Sequence, residues 1–247
     1  MTAAEAPAGG PLAGRAGIVT GGARGIGGAV CEAVVEAGGS VLVADVDGEA
    51  AAGHASELGE RATSAAVDVR EFAAVEDAVA RCRETFGTID FVVANAGIGD
   101  YSSMASGDPE RWRRVIDTNL TGAAYTVRAA LPHMRDQGRG DIVFMASIAG
   151  REAWAGEPIY IATKWGMVGL ARSLRLEASA WGVRVALVEP SIVDTPLVRS
   201  TAEGRSELER FASLRAEDVG RTVAHVLAQP PEMTVTEVEL RPLGAEA

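Results

Sequence analysis

Tyr160 and Lys164 stand four residues apart in Tyr160-Ile161-Ala162-Thr163-Lys164, inside a segment that reads as helix. At that spacing two side chains share a helix face about one turn apart, so the ammonium can lie near the phenol. A free phenol, with a pKa near 10, is a poor base at neutral pH, and a cation beside it favours phenolate. At ~4 Å and an effective dielectric of ~20 the attraction is ~4 kcal/mol before desolvation opposes it. Such a phenol can exchange a proton with an alcohol or carbonyl oxygen. An isolated Tyr-x-x-x-Lys is usually an ordinary surface pair on a helix, so the elements around it have to decide.

From Ala16 onward, short apolar runs alternate with longer helical patterns. The runs cover 17–20, 41–44, 65–67, 89–94, 142–146, 183–188 and 235–240. Being apolar on both faces, they suit strands of a parallel sheet covered by helices. Between them Phe72, Val75, Val79, Cys82 and Phe86 recur at steps of three and four, as do Leu120, Ala124, Val127, Leu131 and Met134, the mark of one-sided helices. Right-handed crossovers wind such a chain into an α/β fold, a doubly wound parallel sheet of about seven strands with helices on both faces. One domain over 14–247 is expected, preceded by a flexible leader, 1–13, rich in Ala, Gly and Pro. Ligands of such a sheet bind beyond the C-terminal ends of its strands. Ser147 follows the run Phe144-Met145-Ala146 and belongs to that edge.

The first run leads into Thr20-Gly21-Gly22-Ala23-Arg24-Gly25-Ile26-Gly27, and a helix pattern follows over 29–37. Glycines there permit a tight turn and close approach of backbone to a pyrophosphate, which the N–H groups and dipole of the helix start attract. The second run ends in Asp45, a little over twenty residues beyond the glycines, where a carboxylate can accept from ribose hydroxyls. Asp68, in Val67-Asp68-Val69, stands either near an adenine or as the cap of a helix starting near Glu71. Asn95-Ala96-Gly97 follows the fourth run and either closes over the adenine side of a cofactor or forms a plain turn.

Taken in order, these motifs resemble the short-chain dehydrogenase/reductase family, and the resemblance covers the chain from about Leu12 to Pro242. It implies a Rossmann fold and an NAD(H)-dependent oxidoreductase that interconverts a secondary alcohol with a ketone or aldehyde. Tyr160 would be the acid/base, Ser147 the hydrogen-bond partner of the substrate oxygen, and Lys164 the contact to the nicotinamide ribose that lowers the phenol's pKa. Asn119, in Asp117-Thr118-Asn119-Leu120, would lie in a helix locally opened to hold a relay water to Lys164. After the sixth run the family usually shows Pro-Gly, then an apolar residue and a Thr that contact the nicotinamide amide and phosphates. Here Pro190, Val193 and Thr195 match, but Ser191 replaces the Gly, whose dihedral freedom Ser lacks. The family also implies a homotetramer, with a dimer as second choice, through the helices around 120–134 and 160–180. The stretch 235–242 and the segment after Thr195 look similar to reductases of bacterial secondary metabolism.

Other classes are disfavoured. With 23 basic against 34 acidic residues and a net charge of −11, a nucleic-acid partner is not expected. The first dozen residues carry neither a basic n-region nor a long apolar run, so no membrane anchor is expected and the cytoplasm is the expected compartment. Cys31 and Cys82 fall within helix patterns and are expected reduced and buried. His54, His133 and His225 have no ligand-spaced neighbours, so no metal is expected. Substrate contacts should come from 98–104, 148–157 and a loop at about 196–212. Tyr101, Met104 and Trp154 there either line an apolar pocket or simply pack, and Arg151 and Glu152 either meet a polar group or are solvated. The remaining alternative to an enzyme is a catalytically silent NAD(H)-binding sensor, which would have no need of an activated phenol. As to cofactor, Arg24 is of the kind that meets the 2′-phosphate of NADP, while Asp45 would repel that phosphate and favour NAD; pairing of Arg24 with Asp45, or exposure to solvent, would leave the choice to Asp45.

Overall fold

In the computed structural model, which describes residues 9–244, seven strands form one wholly parallel sheet. In chain order they are β1 (Ala16–Thr20), β2 (Ser40–Asp45), β3 (Ala62–Ala66), β4 (Phe91–Ala94), β5 (Gly140–Met145), β6 (Val183–Pro190) and, after two short strands, β9 (Glu237–Leu240). The spatial order is β3-β2-β1-β4-β5-β6-β9. The reversal of direction therefore lies between β1 and β4, the crevice where such sheets bind ligands. The short pair β7 (Val193–Asp194) and β8 (Leu214–Arg215) stands apart as a two-stranded ribbon.

Alternate side chains of each strand feed two separate cores, as the pleat requires. Ile18, Ile142 and Phe144 face one way, with α3 (Phe72–Phe86), α5 (Gly122–Gln137) and α6 (Pro158–Ala178) covering them. Val19, Val143 and Met145 face the other, under α1 (Gly25–Glu36), α2 (Gly48–Leu58) and α9 (Ala216–Leu227). Helices thus cover both faces, and the buried strands read as apolar throughout. Cys31 and Cys82 are buried, one in each core. Among the described residues no helix is long and apolar enough to cross a membrane.

Of the boundaries that differ from expectation, two bear on the packing. Leu12, assigned by its Ala/Gly/Pro surroundings to the leader, is fully buried in the second core, and its N–H donates to the Ala37 carbonyl at 2.9 Å. The packed structure reaches back at least that far; residues 1–8 of the expected leader lie outside the described residues. The third strand runs Ala62–Ala66 rather than 65–67, because an edge strand paired only to β2 needs no apolar run.

Candidate active site

β1 ends at Thr20 and turns directly into α1. Gly21 and Gly25 have φ of 64° and 59°, conformations that side-chain-bearing residues avoid. At Gly27 a Cβ would come within 2.0 Å of the Gly21 carbonyl oxygen and 2.5 Å of Asn95 Nδ2. Arg24 occupies the N-cap of α1 but makes no capping bond, and no acidic residue sits in the first turn. The opening N–H groups of α1 are therefore left for an outside acceptor, as a phosphate would require. Ile26 packs on the second core, and an open groove of about 280 Å³ runs beside the turn, lined by Arg24, Gly25, Asp194 and Pro196 among others. These residues fit a dinucleotide phosphate.

Asn95 serves the turn from behind. Its amide donates to the Thr20 and Gly21 carbonyls at 2.8 and 3.2 Å, and the Thr20 hydroxyl accepts the N–H groups of Asn95 and Ala96, each at 3.1 Å. Thr20 escaped notice as a site residue because its role is to join β1 to β4. Asp45, at the end of β2, accepts the N–H groups of Ala23 (3.2 Å) and Asp47 (3.1 Å), which fix its carboxylate beside the turn. Arg24 pairs with Asp47, a residue sequence reasoning passed over, and not with Asp45. Asp68 is no helix cap: it accepts from the Arg70 N–H and guanidinium, whose contact holds its carboxyl below the ordinary range. The N-cap position belongs to Glu71, and Val69 is buried against Gly122.

At the other half of the same edge, Ser147 lies two residues past the end of β5 and caps a short turn, accepting the Ala149 N–H at 3.1 Å. Its hydroxyl points across to the Pro190 carbonyl at 3.4 Å. Tyr160 and Lys164 lie in the first turns of α6, and Lys164 is only 5% exposed, which removes the surface-pair alternative. Its Nζ donates to the Met145 carbonyl at 2.8 Å and lies 5.6 Å from the centre of the Tyr160 ring. Burial brings Lys164 down to about 8. Burial pushes Tyr160 up to about 12, with the Ser147 hydroxyl pulling the other way and Glu157 and Glu207 adding to the rise. The direction is opposite to that expected from a 4 Å ion pair, because burial is the largest influence on the phenol.

The helix before α5 is opened at Asp117–Thr121 into a π turn, closed by a bond from the Gly122 N–H to the Asp117 carbonyl. Asn119, fully buried in it, accepts the Ile98 N–H at 2.8 Å and donates to the Ile98 carbonyl at 3.0 Å. That exchange ties the loop after Asn95-Ala96-Gly97 to the helix, and a Cβ on Gly97 would sit 3.3 Å from Asn119 Oδ1. Ser191 adopts no left-handed conformation, since among the described residues no non-glycine has positive φ. Its hydroxyl is buried without a partner, and its N–H donates to the Leu240 carbonyl at 2.9 Å. Val193 and Thr195 are nearly buried, and Thr195 caps α7 (Pro196–Arg199), 3.6 Å from where a Gly25 Cβ would stand.

The expected substrate segments are distributed unevenly. Met104 (60% exposed) stands out in solvent, and Trp154 donates to Glu157 at 3.1 Å. Tyr101 lies in the field of Glu207, Glu157 and Tyr160 and is pushed up, chiefly by burial. Arg151 and Glu152 are ion-paired within the protein, Arg151 with Glu189 and Glu237, Glu152 with Arg241. The segment expected as a loop at about 196–212 is instead mostly helical, α7 followed by α8 (Ala202–Arg210).

Comparison with known proteins agrees with this geometry. A family model described as short chain dehydrogenase matches residues 15–206. A protein of Staphylococcus saprophyticus named as an uncharacterized oxidoreductase is 33% identical over 230 residues, covering 92% of this chain and 96% of its own. The cis-4-hydroxycyclohexanecarboxylate dehydrogenase of Sinomonas cyclohexanicum is 35% identical, covering 90% of this chain and 92% of its own. Among solved structures, a 3-ketoacyl-(acyl-carrier-protein) reductase from Brucella melitensis complexed with NADH superposes with a TM-score of 0.85 at 27% identity, over 93% of this chain and 97% of that one.

Proposed function

This chain belongs to the short-chain dehydrogenase/reductase family of oxidoreductases, and from that premise we propose that it interconverts a secondary alcohol and a ketone or aldehyde with NAD(H), Tyr160 moving the proton. One observation carries the proposal: Ser147, Tyr160 and buried Lys164 meet on the same sheet edge as a glycine turn whose helix start has no acceptor of its own.

A bound nicotinamide supplies or takes the hydride. In reduction, Tyr160 is held protonated and gives its proton to the carbonyl oxygen, while Ser147 donates a hydrogen bond to that oxygen and orients it. In oxidation Tyr160 must first lose its proton, and Lys164, brought off the Met145 carbonyl toward the cofactor ribose and the phenol, would favour that loss. The π turn at Asn119 would release a backbone carbonyl from the helix ladder, the acceptor a relay water to Lys164 would need. Gly21, Gly25, Ile26 and Gly27 would hold the pyrophosphate, Asp68, Val69, Asn95, Ala96 and Gly97 the adenosine side, and Pro190, Val193 and Thr195 the nicotinamide side. Asp45 would take the ribose hydroxyls and repel a 2′-phosphate, and Arg24, occupied by Asp47, does not offset it.

A homotetramer built on α5 and α6, with a dimer as the smaller form, suits Trp165 and Leu176. They lie eleven residues apart on one face of α6 and are 51% and 82% exposed. Absorbance at the nicotinamide band over a panel of secondary alcohols and ketones tests the activity. Turnover of at least one pair supports the proposal. Saturable NADH binding with no turnover of any would identify a silent sensor instead.

A further inference from the structure

The turn that presents Ser147 is held from its far end. Ser147 Oγ accepts the Ala149 N–H, the Gly150 N–H donates to the Ser147 carbonyl at 2.9 Å, and the Arg151 N–H donates to the Ile148 carbonyl at 2.8 Å. Residues 147–151 therefore form one hydrogen-bonded unit. It rests on α6 beside Lys164: a Cβ on Gly150 would meet Val168 Cγ2 at 2.8 Å and the Lys164 carbonyl oxygen at 3.1 Å. Arg151 then reaches to β6, where its Nε and Nη2 donate to Glu189 Oε2 at 2.9 and 2.5 Å. Glu189 immediately precedes Pro190, whose carbonyl faces the Ser147 hydroxyl. Two contacts thus join the turn to neighbouring residues of β6, one made by Ser147 and one by Arg151.

The same guanidinium goes further. Its Nη2 also bonds Glu237 at the start of β9, and Glu237 accepts Arg172 of α6 through both oxygens, at 2.9 and 3.1 Å. Arg172 lies about two turns beyond Lys164 on the helix that carries Tyr160. The pairs close a ring through the Ser147 turn, β6, β9 and α6. Net stability does not account for it. Glu189 is fully buried, and its Oε1 has no hydrogen-bond partner among the described residues. A buried ion pair with an unmet acceptor is generally no more stabilising than apolar side chains of the same volume. What it does fix is geometry, because the planar fork of Arg admits few arrangements about two carboxylates.

We propose that Arg151 and Glu189 are positioning residues that set the Ser147 hydroxyl against the substrate oxygen. This rests on Ser147 orienting that oxygen for Tyr160. The pair acts through the turn rather than on the reacting atoms. A displacement of ~1 Å at a group that orients the substrate can cost ~100-fold in rate, so a smaller relaxation of the turn should cost ~10-fold.

The double variant Arg151→Met/Glu189→Met removes both charges, keeps unbranched side chains, and should unfold within about 3 °C of wild type. Its single-turnover rate, at saturating NADH and with a ketone that wild type reduces, should fall at least ~10-fold while the Kd for NADH stays within about twofold. In a Ser147→Ala background the same two changes should lower the rate by less than about twofold, because the hydroxyl they position is gone. Arg151→Lys, which keeps the charge without the fork, should lose less than the double variant. Equal losses with and without Ser147, or no loss in its presence, overturn the proposal and leave the oxidoreductase reading intact. Should the double variant not fold, Glu189→Gln carries the same comparison; if that variant also fails to fold, the pair serves stability and the proposal falls. A wild type that reduces no ketone overturns the activity and the positioning role together.

Discussion

Replacing Lys164 by Met should stabilise the ligand-free protein at neutral pH, and the gain should shrink as the pH rises. Burial lowers this ammonium from 10.5 to about 8, so at pH 7 the charged form is disfavoured by ~3 kcal/mol in the folded state. Met keeps the unbranched shape and removes the charge, but it leaves the Met145 carbonyl without its donor, at a cost of ~1–3 kcal/mol. The net gain should be ~1 kcal/mol, or a Tm rise of ~2–4 °C in a chain of this size. The pH dependence is the sharper test, because the lost hydrogen bond cancels from it. A lysine whose folded pKa is depressed loses stability as pH falls from 10.5 towards about 8, with little further change below 8. Wild type should therefore gain ~2 kcal/mol on the variant between pH 7 and pH 9.5. Urea unfolding followed by tryptophan fluorescence at both pH values measures it. A stability difference that does not move with pH, or one that widens in the variant's favour at high pH, would refute the burial argument.

Asp45→Ser should narrow or reverse a preference for NAD over NADP that is at least ~10-fold in kcat/KM for the unaltered protein; comparable use of both cofactors by wild type would contradict the role given to Asp45. Leu12→Ala should cost ~2–4 kcal/mol by equilibrium unfolding, as for any filled core site, whereas a true leader residue would cost almost nothing. Light scattering at micromolar concentration should give a tetramer or dimer, and a stable monomer of 25.5 kDa would count against the α5/α6 contact.

The parallel sheet and its two helical layers were legible because buried parallel strands are apolar on both sides and their helices on one. The α3 pattern from Phe72 to Phe86 coincides with the helix itself. The signal failed where packing is one-sided. β3, Ala-Thr-Ser-Ala-Ala, is partly exposed along its length and carries no apolar run, and Leu12 is a single buried residue among Gly, Pro and Ala. At the site, residue types and order pointed to the edge where Ser147, Tyr160 and Lys164 gather. Sequence could not give the state of the phenol, because the Coulomb estimate left out burial, which raises Tyr160 to about 12. The opened turn at Asn119 came only from resemblance, since nothing in Asp-Thr-Asn-Leu marks a π turn.

The most direct measurement is the single-turnover rate and NADH affinity of Tyr160→Phe against wild type, with any ketone that wild type reduces. Loss of the phenolic hydroxyl should lower the rate at least ~100-fold while the Kd for NADH stays within about twofold. A Phe variant that reduces the ketone at near wild-type rate would show that the proton comes from elsewhere.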